Sequence, residues 1–143
     1  MTIQIQDSTA YTVMDWKKWL RQGNQYLKAV GNDGRKSRFG TDIRYNLLSM
    51  SLESYVMAIL DFHQNLPDNH TYTDLIAGLE RVMPVEAELK NRILKYENIQ
   101  TICSIEKYHR DTQPEETDLK DLRSAILQIQ KMAYQTCSLK DVV

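Results

Sequence analysis

The chain has 143 residues, of which 42% are hydrophobic and 26% charged, with five Gly and three Pro. A chain of this size buries roughly two-thirds of its unfolded surface in one core, and so few turn formers exclude a turn-rich all-β design. The net charge of −1 argues against a dedicated nucleic-acid binder. That charge is unevenly placed. From Asp15 to Tyr45 there are eight Lys/Arg against three Asp, a balance of +5, and from Asn46 to Gln100 four Lys/Arg against eight Asp/Glu, a balance of −4. Such asymmetry steers partners. Lys17, Lys18, Arg21 and Lys28 equally suit the wet side of an amphipathic helix, with Arg35, Lys36 and Arg38 in a loop.

The opening "MTIQIQDSTAYTVMDW" has no basic start, apolar middle or small-residue cleavage site, so no signal peptide is expected. The longest apolar run, "YVMAIL", is far short of the ~20 residues that span a bilayer. Cys103 and Cys137 lack metal spacing and are too few for a disulfide framework. They read as two buried thiols in a reducing cytoplasm.

Apart from a possible short strand in "TIQIQ", the elements are helical. "TVMD" has the form of a capping box, with Thr12 at the cap and Asp15 near the positive helix end. Trp16, Trp19, Leu20, Tyr26, Leu27 and Val30 then recur at three- and four-residue steps, predicting an amphipathic first helix ended by Gly31 and Gly34. "GNDGRKSRFGTD" is a polar, glycine-punctuated loop. A second helix starts at Thr41 or Asp42 and is expected to last until just before Pro67. Its apolar residues, among them Leu48, Leu52, Val56, Ile59 and Leu60, lie on more than one face, which places it in the middle of a bundle.

"TYTD" is a second capping-box candidate, followed by a stripe of Leu75, Ile76, Leu79 and Val82. Pro84 closes this short third helix and can occupy the first turn of the next. A fourth helix carries Val85, Leu89, Ile93, Tyr96, Ile99, Ile102 and Cys103 and fades by "YHRDTQP". The last begins near Thr117, with Leu119, Leu122, Ile126, Ile129, Met132 and Ala133 at near-heptad spacing. The fold class is therefore all-α. It is expected as one up-and-down bundle of four long helices and a short one, whose short connections make neighbours antiparallel.

Few residues invite chemistry. Glu53 has Met57 and Leu60 as helical neighbours, so its carboxylate should point into or along the core. There it either orients a ligand or is held by an Arg, a Tyr or a helix end that fixes the register. His63 and His70 flank the break at Pro67, and His70 reads as a turn residue bonding to the adjoining helix end. "KYHRD" gathers Lys107, Tyr108, His109, Arg110 and Asp111. It could serve acid–base chemistry or bind phosphate, although basic residues also suit the negative end of a helix. The one Glu-x-x-His, Glu106–His109, has no second pair for a di-iron bundle, so no metal is expected. No Gly-rich phosphate loop, nucleophile elbow or cysteine-centred triad is present in the sequence, and no cofactor is implied.

The stretch "SLESYVMAILDFHQNLPDNHTYTDLIAGLE" resembles the second helix, turn and third helix of HEPN-domain proteins, a helical family first described as nucleotide-binding. The features that carry the resemblance are Glu53 within an Ala/Leu-rich helix, the Pro67 turn, and His70 followed by Asp74–Leu75 at the next helix start. Helix order and lengths extend it over about residues 12–138. It implies an up-and-down bundle that commonly homodimerises. Family members act as RNA-cleaving toxins of toxin–antitoxin systems, as partners of small nucleotidyltransferases, or as non-catalytic binding modules. The RNase members use an Arg followed four to six residues later by His near the start of the last long helix. Here Arg81, Arg92, Arg110 and Arg123 all lack such a His, so no catalytic residue is carried over. The expectation is a non-catalytic, HEPN-like interaction module, a homodimer with a protein or nucleotide-containing partner. Candidate ligand-binding residues are Glu53, His70, Tyr108, His109 and Arg110. The alternative is a metal-independent RNase toxin with a site built from Glu53, His109 and Arg110.

Overall fold

A computed structural model describes the backbone of residues 2–31, 39–67, 69–97 and 114–142, and the side chains of 16–31, 39–67, 69–97 and 114–137. Among the described residues every regular element is a helix: α1 Thr2–Val30, α2 Thr41–Phe62, α3 Tyr72–Val82, α4 Ala87–Leu94 and α5 Glu116–Val142. The segment "TIQIQ" is thus helical rather than a strand, and Thr12 and Asp15 lie inside α1 instead of capping it. Leu27 and Val30 bury the inner face of α1, which closes at Gly31, whose φ of 81° is the left-handed conformation that glycine adopts without strain.

The centre of the molecule is α2. Leu48, Tyr55, Val56, Ile59 and Leu60 are fully buried and Leu52 nearly so, although they point in several directions round the helix. Residues of α1, α3, α4 and α5 join them in one hydrophobic cluster. Trp16 of α1 packs edge-on against Phe62 at the end of α2, with ring centroids 5.8 Å apart. Two turns further along α1, Gly23 meets Ser51 and Tyr55, so these two helices are antiparallel. Arg44 meets Glu116, and Tyr55 meets Gln130, so α5 runs in the same direction as α2 and opposite to α1.

Termination of α2 comes at Phe62, five residues ahead of Pro67. The Asn65 N–H donates to the Leu60 carbonyl at 2.8 Å and the Gln64 N–H to that of Asp61 at 3.0 Å. This is the Schellman pattern, with Gln64 at φ 54° in the left-handed position that usually holds glycine. The break is therefore made by backbone hydrogen bonds, and the proline follows it. In α3 the expected cap is present: Thr71 accepts from the Asp74 N–H at 3.1 Å. The carboxylate of Glu97 adds a second anionic cap, accepting from the Thr73 N–H at 2.8 Å.

Pro84 lies in an extended connection, not in the first turn of the next helix. Met83 before it is held extended (φ −161°, ψ 158°), and α4 begins at Ala87 behind Glu86. A turn at Lys95 and Tyr96 ends α4 after eight residues, so the expected long fourth helix is short within the described residues. Its continuation through Ile99, Ile102 and Cys103 lies outside them, as do Gly34 and most of the glycine-rich loop. Cys137 is buried.

Candidate functional site

Two places bring polar residues together in a way that bears on function. The first is the corner between α2 and α3. Glu53 projects from α2 at a partly buried position, and His70 stands one residue before the α3 cap. The structure pairs them, His70 Nδ1 with Glu53 Oε2. The His70 side chain is 50% exposed and that of Glu53 33%, so the contact stitches the corner from its wet side. The partner of Glu53 is thus a histidine rather than an Arg, a Tyr or a helix end, and the carboxylate does not enter the core. His63 is exposed at the end of α2 and lies edge-on to Phe62, away from this pair. Tyr108, His109 and Arg110 lie outside the described residues, as does the Glu106–His109 pair. Among the described residues no group of three or more His, Cys, Asp or Glu could hold a metal ion.

The second place is a groove of about 410 Å³ between α1 and α5, lined by Asn24, Leu27 and Lys28 on one wall and Arg123, Gln130 and Tyr134 on the other. Behind this lining stands Tyr55 of α2, which bonds to Asn24 and Gln130. Gly23 has no side chain, and this lets the Tyr55 ring slide against the α1 backbone; a Cβ there would sit 2.7 Å from Tyr55 Cε1. The phenol reaches through this gap and donates to Asn24 Oδ1 at 2.5 Å. It accepts in turn from Gln130 Nε2 at 2.9 Å, and the same nitrogen lies 3.3 Å from Asn24 Oδ1. Burial pushes the Tyr55 phenol above its ordinary pKa. Ser51 ties the same level by donating to the Gly23 carbonyl at 2.9 Å. One end of the groove is set by Arg123, which donates to the Gly31 carbonyl at 3.0 Å and so caps the negative end of α1.

Neither the family models, nor the curated proteins, nor the solved structures contain a match to this chain. The site is therefore read from its own chemistry. The lining carries two cations, two carboxamides and a phenol, and among these described residues there is no carboxylate, histidine or thiol. Such a set can hold an anion and pair with amide groups, but it offers no nucleophile and base within reach of each other.

Two further clusters are structural. Arg44, 5% exposed, forms a two-pronged pair with the Glu116 carboxylate and donates to the Phe39 carbonyl at 3.1 Å, locking the starts of α2 and α5. Asp121 on α5 accepts from the Tyr96 phenol at 2.5 Å and from Arg92 at 3.2 Å, with Lys95 at 3.1 Å, which fastens the end of α4 to α5. The Tyr96 hydrogen bond, with the help of Lys95 and Arg92, holds the Asp121 carboxyl below the usual carboxylate range, while burial and Asp121 push Tyr96 up.

In the sequence the α1 cations read both as part of a charge asymmetry that steers partners and as a solvated face, but not as the wall of a groove. The signal was present on both helices. Lys17, Arg21, Asn24 and Lys28 stand at i, i+4, i+7 and i+11, and Arg123, Leu127, Gln130 and Tyr134 repeat that spacing on α5. Tyr134 and Leu127 are 41% and 40% exposed, so the second stripe faces outward although the helix is amphipathic.

Proposed function

We propose that the chain is a non-catalytic, HEPN-like binding module that works as a homodimer with a protein or nucleotide-containing partner. The observation that carries this reading is the composition of the α1–α5 groove, which has the volume of a ligand site and side chains suited to holding rather than breaking bonds. The stretch that resembles HEPN proteins, residues 51–80, forms a helix–turn–helix corner with polar residues in the α3 cap and in the Glu53–His70 pair, and this supports the same reading. On the outer side of α2, Ile43 and Met50 are 49% and 42% exposed one above the other, a small apolar patch suited to a second copy.

The test is a pair of measurements on the purified chain. Incubated with structured and single-stranded RNAs without added metal, it should leave them intact, and light scattering should give twice the mass of the chain. RNA cleavage that disappears in His109→Ala would refute the module reading in favour of the RNase toxin. A strict monomer would refute the homodimer.

A further inference from the structure

We infer that the groove between α1 and α5 binds an extended, acidic peptide segment of a partner protein. The inference rests on the binding-module reading and names the chemistry of its partner. Its first support is charge. Residues 16–31 of α1 contain four Lys/Arg and no Asp or Glu. Lys17, Arg21 and Lys28 are all exposed and share the helix face on which Asn24 and Lys28 line the groove. Across from them stands Arg123, and in the adjoining smaller recess Lys120; the carboxylate there, Glu116, is taken by Arg44. An anionic ligand therefore meets cations on both walls.

Length is the second support. Lys17 to Lys28 is eleven residues of helix, about 16 Å at the α-helical rise of ~1.5 Å per residue. The cationic track thus runs beyond the cavity itself and suits a linear ligand. An extended peptide covers that length with about five residues at ~3.3 Å each.

The third support separates a peptide from a polyphosphate chain. Asn24 uses its Oδ1 on Tyr55 and Gln130, and Gln130 uses its Nε2 on Tyr55 and Asn24. What remains is the NH2 group of Asn24, a donor, and the carbonyl oxygen of Gln130, an acceptor. A peptide unit offers the complementary acceptor and donor. An inorganic polyphosphate chain offers acceptors only, so its oxygens would be repelled by the Gln130 carbonyl. The exposed Tyr134 ring and the buried Leu27 add apolar contact for an aliphatic stem.

The experiment is fluorescence anisotropy of the full chain with a fluorescein-labelled pentaglutamate peptide and, in parallel, a fluorescein-labelled linear pentaphosphate. Pentaglutamate should bind, weaken with added salt, and bind about tenfold more weakly to Lys28→Glu, which exchanges one exposed attraction for a repulsion. Pentaphosphate should bind at least about tenfold more weakly than pentaglutamate, as expected when an acceptor faces a phosphate oxygen. Lys28 is exposed, so this variant folds; Arg123→Gln, checked by circular dichroism, gives a second reading from the opposite wall. Equal or tighter binding of pentaphosphate, unchanged pentaglutamate affinity in Lys28→Glu, or no binding of pentaglutamate would each overturn the inference. Failure here is distinguishable from failure of the module reading. A chain that cleaves RNA but binds pentaglutamate through Lys28 refutes only the latter, and a chain inert on RNA that ignores pentaglutamate refutes only the former.

Discussion

Replacing Gly23 by Ala isolates the contact that seats Tyr55 behind the groove. Glycine in the middle of a helix normally costs about 1 kcal/mol relative to alanine, so on propensity alone Gly23→Ala would stabilise α1. The structure predicts the opposite. The new Cβ would lie 2.7, 2.8 and 3.0 Å from three atoms of the Tyr55 ring, where carbon pairs prefer ~3.5–4.0 Å. Tyr55 is fully buried and cannot swing into solvent. Overpacking of this kind costs roughly 1–3 kcal/mol, and a displaced phenol weakens its bonds to Asn24 and Gln130, about 1 kcal/mol each when lost. Setting ~1 kcal/mol of propensity against these losses leaves a net destabilisation of about 2 kcal/mol. Urea unfolding followed by circular dichroism reads it directly, and Tm should fall by roughly 6 °C. In a Tyr55→Leu background the clash is removed, so the same Gly23→Ala change should be neutral or stabilising, a coupling of about 2 kcal/mol. Gly78→Ala is the contrast: its nearest neighbour is the tip of Leu60 at 2.9 Å, which can rotate, so the net effect should be close to zero. A Gly23→Ala protein about 1 kcal/mol more stable than wild type would refute the reasoning.

Three other variants probe the remaining structure. The Asp121 carboxyl is held below its unfolded value, so its contribution is complete above the unfolded pKa of about 4 and is lost as pH falls through the lower, folded value. Unfolding free energies measured from pH 5 to pH 2.5 should therefore drop more steeply for wild type than for Asp121→Asn. Gln64→Gly relieves a left-handed residue in the α2 terminator and should stabilise by about 1 kcal/mol, read as a rise in the urea midpoint. His70→Ala removes a half-exposed pair and should cost no more than about 1 kcal/mol in the same assay; a several-fold larger loss would mean that the corner is held from within.

How much of this was legible in the sequence depended on whether the signal was local. The apolar residues all round the second helix announced its central place, and the Thr71 cap of α3 was readable because a capping box is complete within four residues. The early end of α2 was not, because its terminator uses Gln64 where a glycine would have advertised it. Propensity also misled at "TIQIQ", where β-branched residues occupy the first turns of α1. The pairs that join separate helices, Arg44 with Glu116 and Asp121 with Arg92 and Tyr96, depend on three-dimensional packing across 72, 29 and 25 residues of chain. Glu53 drew notice as a carboxylate in an apolar helix, yet its partner could be identified only once the turn had brought His70 back beside it. The groove needed two periodicities to be read together, one from each end of the chain, and each alone is that of an ordinary solvated face.

All of these features require α2 to be enclosed by α1, α3 and α5. Native-state hydrogen exchange of the α2 amides tests that enclosure most directly. The N–H groups of Leu52, Tyr55, Val56, Ile59 and Leu60 should be the slowest in the chain, with opening free energies that match global unfolding in urea. Exchange of these amides by low-energy local opening, while those of another helix stay protected, would contradict it.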